Sequence, residues 1–228
     1  MNRKVYPPNV LRTKLILLAF ILAGADPTHY AMAYYKLIDL GTLAGGYSEA
    51  YSINNQGQIV GIAGGKATLF DPTGGGKNID LSTLGGSESA AYSINNLVQI
   101  VGGSADSAGN GRATLFDPTG GGKNIDLGTL RGRRYSAASS INDHGQIVGQ
   151  VWDSSSDYRA TLFDPTGGGN SIDLGALGGS YSEAFSINNY GQIVGLAYRS
   201  SGRYRATSFD PTGGGKNIDL GTVGGLFS

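Results

Sequence analysis

Short apolar runs separated by turn residues fill most of this chain, and the same order of runs returns four times. In the first copy the runs lie at 50–53, 58–61, 67–70 and 78–81. Each is rich in β-branched or aromatic side chains and bounded by Asn, Asp, Gly or Pro, the pattern of a strand between turns. None is long or periodic enough for a helix. The copies begin at Tyr51, Tyr92, Ser139 and Phe185. The aspartates of their Phe-Asp-Pro motif, Asp71, Asp117, Asp164 and Asp210, are spaced by 46, 47 and 46 residues. A fixed period of this size marks a repeat architecture, because one such unit cannot bury its own apolar face.

Four strands per unit and no helix match a propeller blade. The chain is therefore expected to be all-β, with tandem four-stranded repeats in a β-propeller-like arrangement of four units plus one extra strand; a β-solenoid is the alternative. The extra strand is Tyr35-Lys36-Leu37-Ile38-Asp39-Leu40, which repeats the outer piece Asn217-Ile218-Asp219-Leu220. One of these two is surplus to a closed four-bladed ring, which leaves an open arc or a ring closed by a partner chain open as well. The small residues of Ser-Glu-Ala-Tyr-Ser-Ile-Asn place that piece nearest the axis.

The turns differ in what they carry. Asn54-Asn55-Gln56-Gly57 joins the first two strands, and Asn and Gly tolerate the positive φ of a tight hairpin. Of its counterparts, only the second copy lacks the final glycine, so Val98 is expected to strain the turn or force a different one. The second connection, at 62–65, 103–111, 150–158 and 196–204, varies in length and content, which makes it the expected place for individual function. The third, Asp-Pro-Thr-Gly-Gly-Gly, is nearly constant: proline ends the strand and aspartate caps the turn. The fourth, beginning at Gly41, Ser82, Gly128, Gly175 and Gly221, leads into the next unit.

Residues 1–33 read differently. A basic opening to Lys14, an apolar run at 15–25 and the small pair Ala31 and Ala33 form a secretory signal, too short for a membrane span. Cleavage is expected before Tyr34, leaving 34–228 as four repeats of about 46 residues; an uncleaved anchor is the alternative. Either way the repeats are expected to be extracellular or periplasmic.

Composition agrees with a folded strand-and-turn protein. The 39 glycines and 7 prolines fall at fixed places rather than in low-complexity runs. The formal charge is zero. Four basic residues and one acid belong to the first 33, so the remainder carries about −3, no footprint for nucleic acid. Arg131, Arg133 and Arg134 form a local cluster, expected to be a solvated turn. With no cysteine, disulfides and thiolate chemistry are excluded.

The linked motifs resemble those of HAF-type extracellular repeat proteins, whose tandem pattern includes Ala-Ile-Asn, Gly-Gln-Val-Val-Gly, His-Ala-Phe-Leu-Trp and Asp-Leu-Gly-Thr-Leu-Gly-Gly. The resemblance covers 40–225. It departs at the naming tripeptide, replaced here by Lys66-Ala67-Thr68, Arg112-Ala113-Thr114, Arg159-Ala160-Thr161 and Arg205-Ala206-Thr207, so no role of family histidines transfers. The resemblance implies an exported protein and no particular activity.

Few residues suit catalysis. The one histidine beyond residue 33, His144, sits in a turn whose counterparts are Gln56 and Tyr190. Glu49, Glu88 and Glu183 are the only glutamates. Glu49 and Glu183 share a repeat position and supply the alternative reading, a polysaccharide-acting hydrolase with paired carboxylates. The repeated aspartates lack calcium-loop spacing, and Gly-Gly-Gly-Lys lacks the phosphate-loop context. No catalytic residue, metal or cofactor is expected. The candidate ligand-binding set is Trp152, Tyr158, Tyr198, Arg199, Arg203 and Tyr204, aromatic and cationic residues on the variable connections of adjacent units. The sequence thus describes an exported, non-enzymatic repeat protein that presents a β surface for binding or structure at the cell envelope. The expected partners are an extracellular glycan or protein, with self-association through unpaired edge strands, and no nucleic acid.

Overall fold

The computed structural model describes residues 35–43, 45–131, 133–153 and 157–223. The expected signal at 1–33 and its cleavage point at Tyr34 lie outside them. Contacts divide the chain after Asp39. In the first unit, residues 35–39 form no strand, so the extra strand expected over 35–40 is absent there. Its Ile-Asp-Leu pattern matches a strand, but no ladder is formed with it, whereas the same tripeptide at the other end pairs with Thr207 and Ser208.

The described residues of the second unit form sixteen strands in four antiparallel sheets, each in sequence order. The first sheet, or blade, is β1 (Ser48–Ile53), β2 (Ile59–Ala63), β3 (Lys66–Phe70) and β4 (Ile79–Asp80). The second is β5 (Gly85–Ile94), β6 (Ile100–Asp106), β7 (Gly111–Phe116) and β8 (Ile125–Asp126). The third is β9 (Tyr135–Ile141), β10 (Ile147–Trp152), β11 (Arg159–Phe163) and β12 (Ile172–Asp173). The fourth is β13 (Gly178–Ile187), β14 (Ile193–Arg199), β15 (Tyr204–Phe209) and β16 (Ile218–Asp219). The fourth strand of every blade pairs over only two residues, because proline and three glycines precede it.

Successive blades stack face on face. First strands of neighbouring blades touch one another, while the fourth strands lie outside, so the small-residue strand is innermost, as expected. Three apolar clusters fill the three junctions. Val60, Ala67 and Leu81 of the first blade meet Ile94, Ile100 and Phe116 of the second. Val101, Ala113 and Leu127 meet Ile141, Ile147 and Phe163, and Val148, Ala160 and Leu174 meet Ile187, Ile193 and Phe209. Apolar burial of this kind contributes roughly 25 cal/mol per Å² and is what holds one unit to the next.

Polar stitches fix the register of each junction. Ser89 Oγ accepts from Ala67 N at 2.9 Å and donates to Ser82 O at 2.7 Å; Ser136 does the same with Ala113 N and Gly128 O. A row of turn asparagines runs across all four blades: Asn54 Nδ2 donates to Asn95 O, Asn95 Nδ2 to Asn142 O and Asn142 Nδ2 to Asn188 O. No buried side-chain polar atom among the described residues lacks a partner.

The stack is an open arc. No strand of the fourth blade packs along one of the first among the described residues, and the end faces show it. Ile53 is 65% exposed where its counterparts Ile94, Ile141 and Ile187 are 6% exposed. At the other end Leu220 is 56% and Val194 42% exposed, although Leu81, Leu127, Leu174 and the matching valines Val60, Val101 and Val148 are fully buried.

Two backbone features explain the repeated sequence. Every Ile-Val-Gly piece ends where the first strand bulges, and a Cβ on Gly61, Gly102, Gly149 or Gly195 would stand 1.9–2.1 Å from a carbonyl oxygen of that strand. Val98 strains its turn rather than replacing it. Its φ is +64°, yet its N–H still donates to Asn95 O at 3.2 Å and the hairpin closes at Ile94 and Ile100. Packing of Val98 against the first apolar cluster offsets a conformation that costs a β-branched residue about 1–2 kcal/mol.

Candidate functional site

Three positions of the repeat lie side by side at one end of each blade: the residue before the stitching serine, the end of the second strand and the residue two before the alanine of the third. In the first blade they hold Tyr47, Gly64 and Gly65, and in the second Glu88, Ala105 and Gly111. In the third they hold Tyr135, Trp152 and Tyr158, and in the fourth Tyr181, Tyr198 and Tyr204. Register brings them together: Trp152 pairs with Tyr135, and Tyr198 with Tyr204.

The six rings form one unbroken row. Tyr135 lies 5.7 Å from Trp152, which lies 5.2 Å from Tyr158, centroid to centroid, with interplanar angles of 24° and 14°. Tyr158 meets Tyr181 across the blade junction at 5.2 Å; Tyr181 then meets Tyr198 at 4.9 Å and Tyr198 meets Tyr204 at 6.1 Å. These separations and angles are those of offset-stacked and tilted pairs, which stabilise by about 0.5–1.5 kcal/mol beyond burial. The junction is braced at the same point by Ser182 N donating to Tyr158 O at 2.9 Å.

This arrangement corrects the expectation of aromatic loop tips in two ways. Trp152, Tyr198, Arg199 and Tyr204 belong to strand ends and not to the loops, because the hairpins continue pairing beyond the runs read from sequence. The inner rings also cover one another's faces in part. All six rings but the exposed Tyr204 are half-buried.

The sequence pattern did not single out Tyr135 and Tyr181, which lie on first strands well before the variable connections. The available signal was their shared repeat position. Tyr181 donates its hydroxyl to Glu183 Oε1. Burial first, then that carboxylate, pushes the phenol well above its ordinary value. Tyr51 does the same with Glu49 at 2.9 Å and is pushed up to about 12, burial again leading.

Three arginines beside the row pair with carboxylates, while Arg134 lies 5.7 Å over the Tyr135 ring. Arg133 is no solvated turn residue: it reaches Asp153 at 3.2 Å and Asp157 at 3.0 Å. Arg159 and Arg199 pair with Asp173 and Asp219 at 3.3 and 3.2 Å. Arg203 is exposed beyond the end of β14. A cleft of about 600 Å³ lies beside the row, lined by Arg133, Asp157, Arg159, Tyr198 and Arg199. On its other side Trp152 lines a second cleft of about 370 Å³ with Glu88 and Tyr92.

Glu49 and Glu183 stand on the first and fourth blades, each engaged by a tyrosine of its own strand, and β1 does not pack along β13. Among the described residues no group of three or more His, Asp or Glu is placed to hold a metal. The repeated aspartates cap turns as expected: Asp71 Oδ1 accepts from Thr73 N and Oγ1 at 3.0 and 2.6 Å.

No family model matches the chain, and no curated protein matches it. Among solved structures it is similar to the crystal structure of TolB from Acinetobacter baumannii, with a TM-score of 0.54 and 13% identity over 76% of this chain and 43% of that one. The chain thus spans less than half the length of that protein. At this identity the likeness concerns the fold, and it supports the propeller-like arrangement of the four sheets over a solenoid.

Proposed function

We propose that this chain is a non-enzymatic binding scaffold, exported to the cell envelope, whose aromatic row on the third and fourth blades holds an extended, uncharged glycan. The observation that carries the reading is the row itself. Six rings stand at the same three scaffold positions of two neighbouring blades, where the other two blades have small residues, one glutamate and one unpaired tyrosine. A repeat fold needs no aromatic residue there, since the first two blades do without the row.

The chemistry favours a polyhydroxylated ligand. Ring edges carry partial positive charge, and phenol hydroxyls both donate and accept. Neutralised arginines along the flanking cleft argue against an anionic ligand, because each already has a carboxylate partner. The signal-like opening and the resemblance to HAF-type repeats support export.

Isothermal titration of neutral oligosaccharides into the wild-type chain and into Trp152→Ala tests this. The reading expects saturable binding that the substitution weakens at least tenfold while the protein still unfolds cooperatively. Equal affinity in the two proteins, or binding only of extended peptides, would contradict it.

A further inference from the structure

We propose that the two end faces of the arc dock against each other between copies of this chain, head to tail, through a fourth version of the junction that already joins its blades. The three internal junctions use the same parts. A valine and an alanine of one blade enter a recess made by an alanine, two isoleucines and a phenylalanine of the next. From the first set the fourth blade presents Val194, 42% exposed, on its outward face. The first blade presents the second: Ala50, Ile53 and Ile59 line an open apolar groove of about 290 Å³. These two faces are complementary to each other and not to themselves, so the contact is heterologous.

The polar stitches continue in the same sense. Each asparagine row runs from one blade's side chain to the next blade's backbone, with Asn55 N, Asn96 N and Asp143 N donating in turn to Asn96, Asp143 and Asn189 side chains. Among the described residues the row stops at Asn188 on the fourth blade, whose amide donates to Gln192 within its own turn. At the first blade the backbone carbonyl of Asn54 and the side chain of Asn55 occupy the receiving positions. Docking places Asn188 Nδ2 on Asn54 O and Asn189 N on Asn55 Oδ1 of the second copy.

One seat is contested, and the structure says which residue holds it. Asn78 Nδ2 donates to Leu40 O at 2.9 Å, as Asn124 does to Leu81 O and Asn217 to Leu174 O. Leu40 thus already takes the place of a preceding blade's outer leucine. Leu220, beside a strand of two residues and half out in solvent, yields that place when a second copy arrives.

The test is the mass of the chain, as recovered from an expressing host, by sedimentation velocity and light scattering. Wild type is expected to assemble into twofold or higher multiples. Ile53→Asp, which spoils the receiving face, and Val194→Asp, which spoils the entering one, are each expected to run as single chains. Mixed in equal amounts, they should form a species of two chains and no more, since each retains one intact face. Leu97→Asp on the exposed turn of the second blade, and Leu220→Asp, are expected to assemble like wild type. A wild type that stays a single chain at micromolar concentration overturns the proposal, as does a mixture that stays single or an Ile53→Asp variant that assembles unaided. All four positions are exposed, so a melt by circular dichroism confirms that each variant is folded.

Discussion

The ring of Tyr158 on the third blade lies 5.2 Å from that of Tyr181 on the fourth, tilted by 43°. It is the one ring contact of the row that crosses a blade junction, so it couples the proposed binding surface to the stacking of the units. A double-mutant cycle with Tyr158→Ala and Tyr181→Ala, read by urea unfolding, is expected to give a coupling energy of about 0.5–1.5 kcal/mol. Additive losses would mean that the two rings are merely adjacent.

The bulge glycines bear a different load. A Cβ at Gly149 would stand 2.1 Å from Ala137 O, with Ala138 Cα and Ser139 N at 2.9 and 3.0 Å, so Gly149→Ala must move the first strand. A loss of about 1–3 kcal/mol is expected. Gly111→Ala is the comparison, because nothing lies within 4 Å of the added carbon and its φ is ordinary. It should change stability by less than about 0.5 kcal/mol.

Turn strain can be measured apart from packing. Gly57 has φ +77° and open space around it; Gly57→Val therefore imposes the Val98 conformation without the apolar contact that Val98 enjoys. The expected loss is about 1–2 kcal/mol. A neutral result would show that the first hairpin can adopt another turn.

Acid sensitivity follows from the caps. Asp106 is held down to about 2 by the Asn110 N–H first, with Asn110 Nδ2, Arg112 and the Ala108 N–H adding to it. Asp71, Asp117, Asp164 and Asp210 are lowered chiefly by the hydroxyl and N–H of the threonine two residues on. Their unfolded forms take up protons at a higher pH than the folded ones, so this stabilisation is complete above the ordinary carboxylate value and is lost as pH falls through the lowered one. Melting temperatures should hold down to about pH 4 and drop toward pH 2. Asp106→Asn should melt lower at neutral pH and lose less on acidification; an unchanged acid profile would contradict the assignment.

Local chemistry made much of this fold legible. The turn asparagines, the Asp-Pro-Thr caps and the 46-residue period each depend on neighbours in sequence, and all were read correctly. Strand extent was less legible, because pairing out to Ala63 or Trp152 depends on register rather than composition. The Tyr35-to-Leu40 stretch shows the limit most clearly: its Ile-Asp-Leu is identical to that of β16, and what differs is whether a ladder forms beside it. In the candidate site, four of the six rings were named from the variable connections. Tyr135 and Tyr181 were not, since it takes cross-strand pairing and blade stacking to bring them beside residues 17 to 23 positions away in sequence.

Trp152 is the only tryptophan of the chain and stands inside the row, between Tyr135 and Tyr158. Its fluorescence therefore reports on the proposed site and nowhere else. Titrating neutral oligosaccharides into the wild-type chain should shift or quench that emission saturably, and Tyr181→Ala should weaken the response. An emission spectrum that no oligosaccharide alters, in a chain that still unfolds cooperatively, would show that the row braces the blades and binds no glycan.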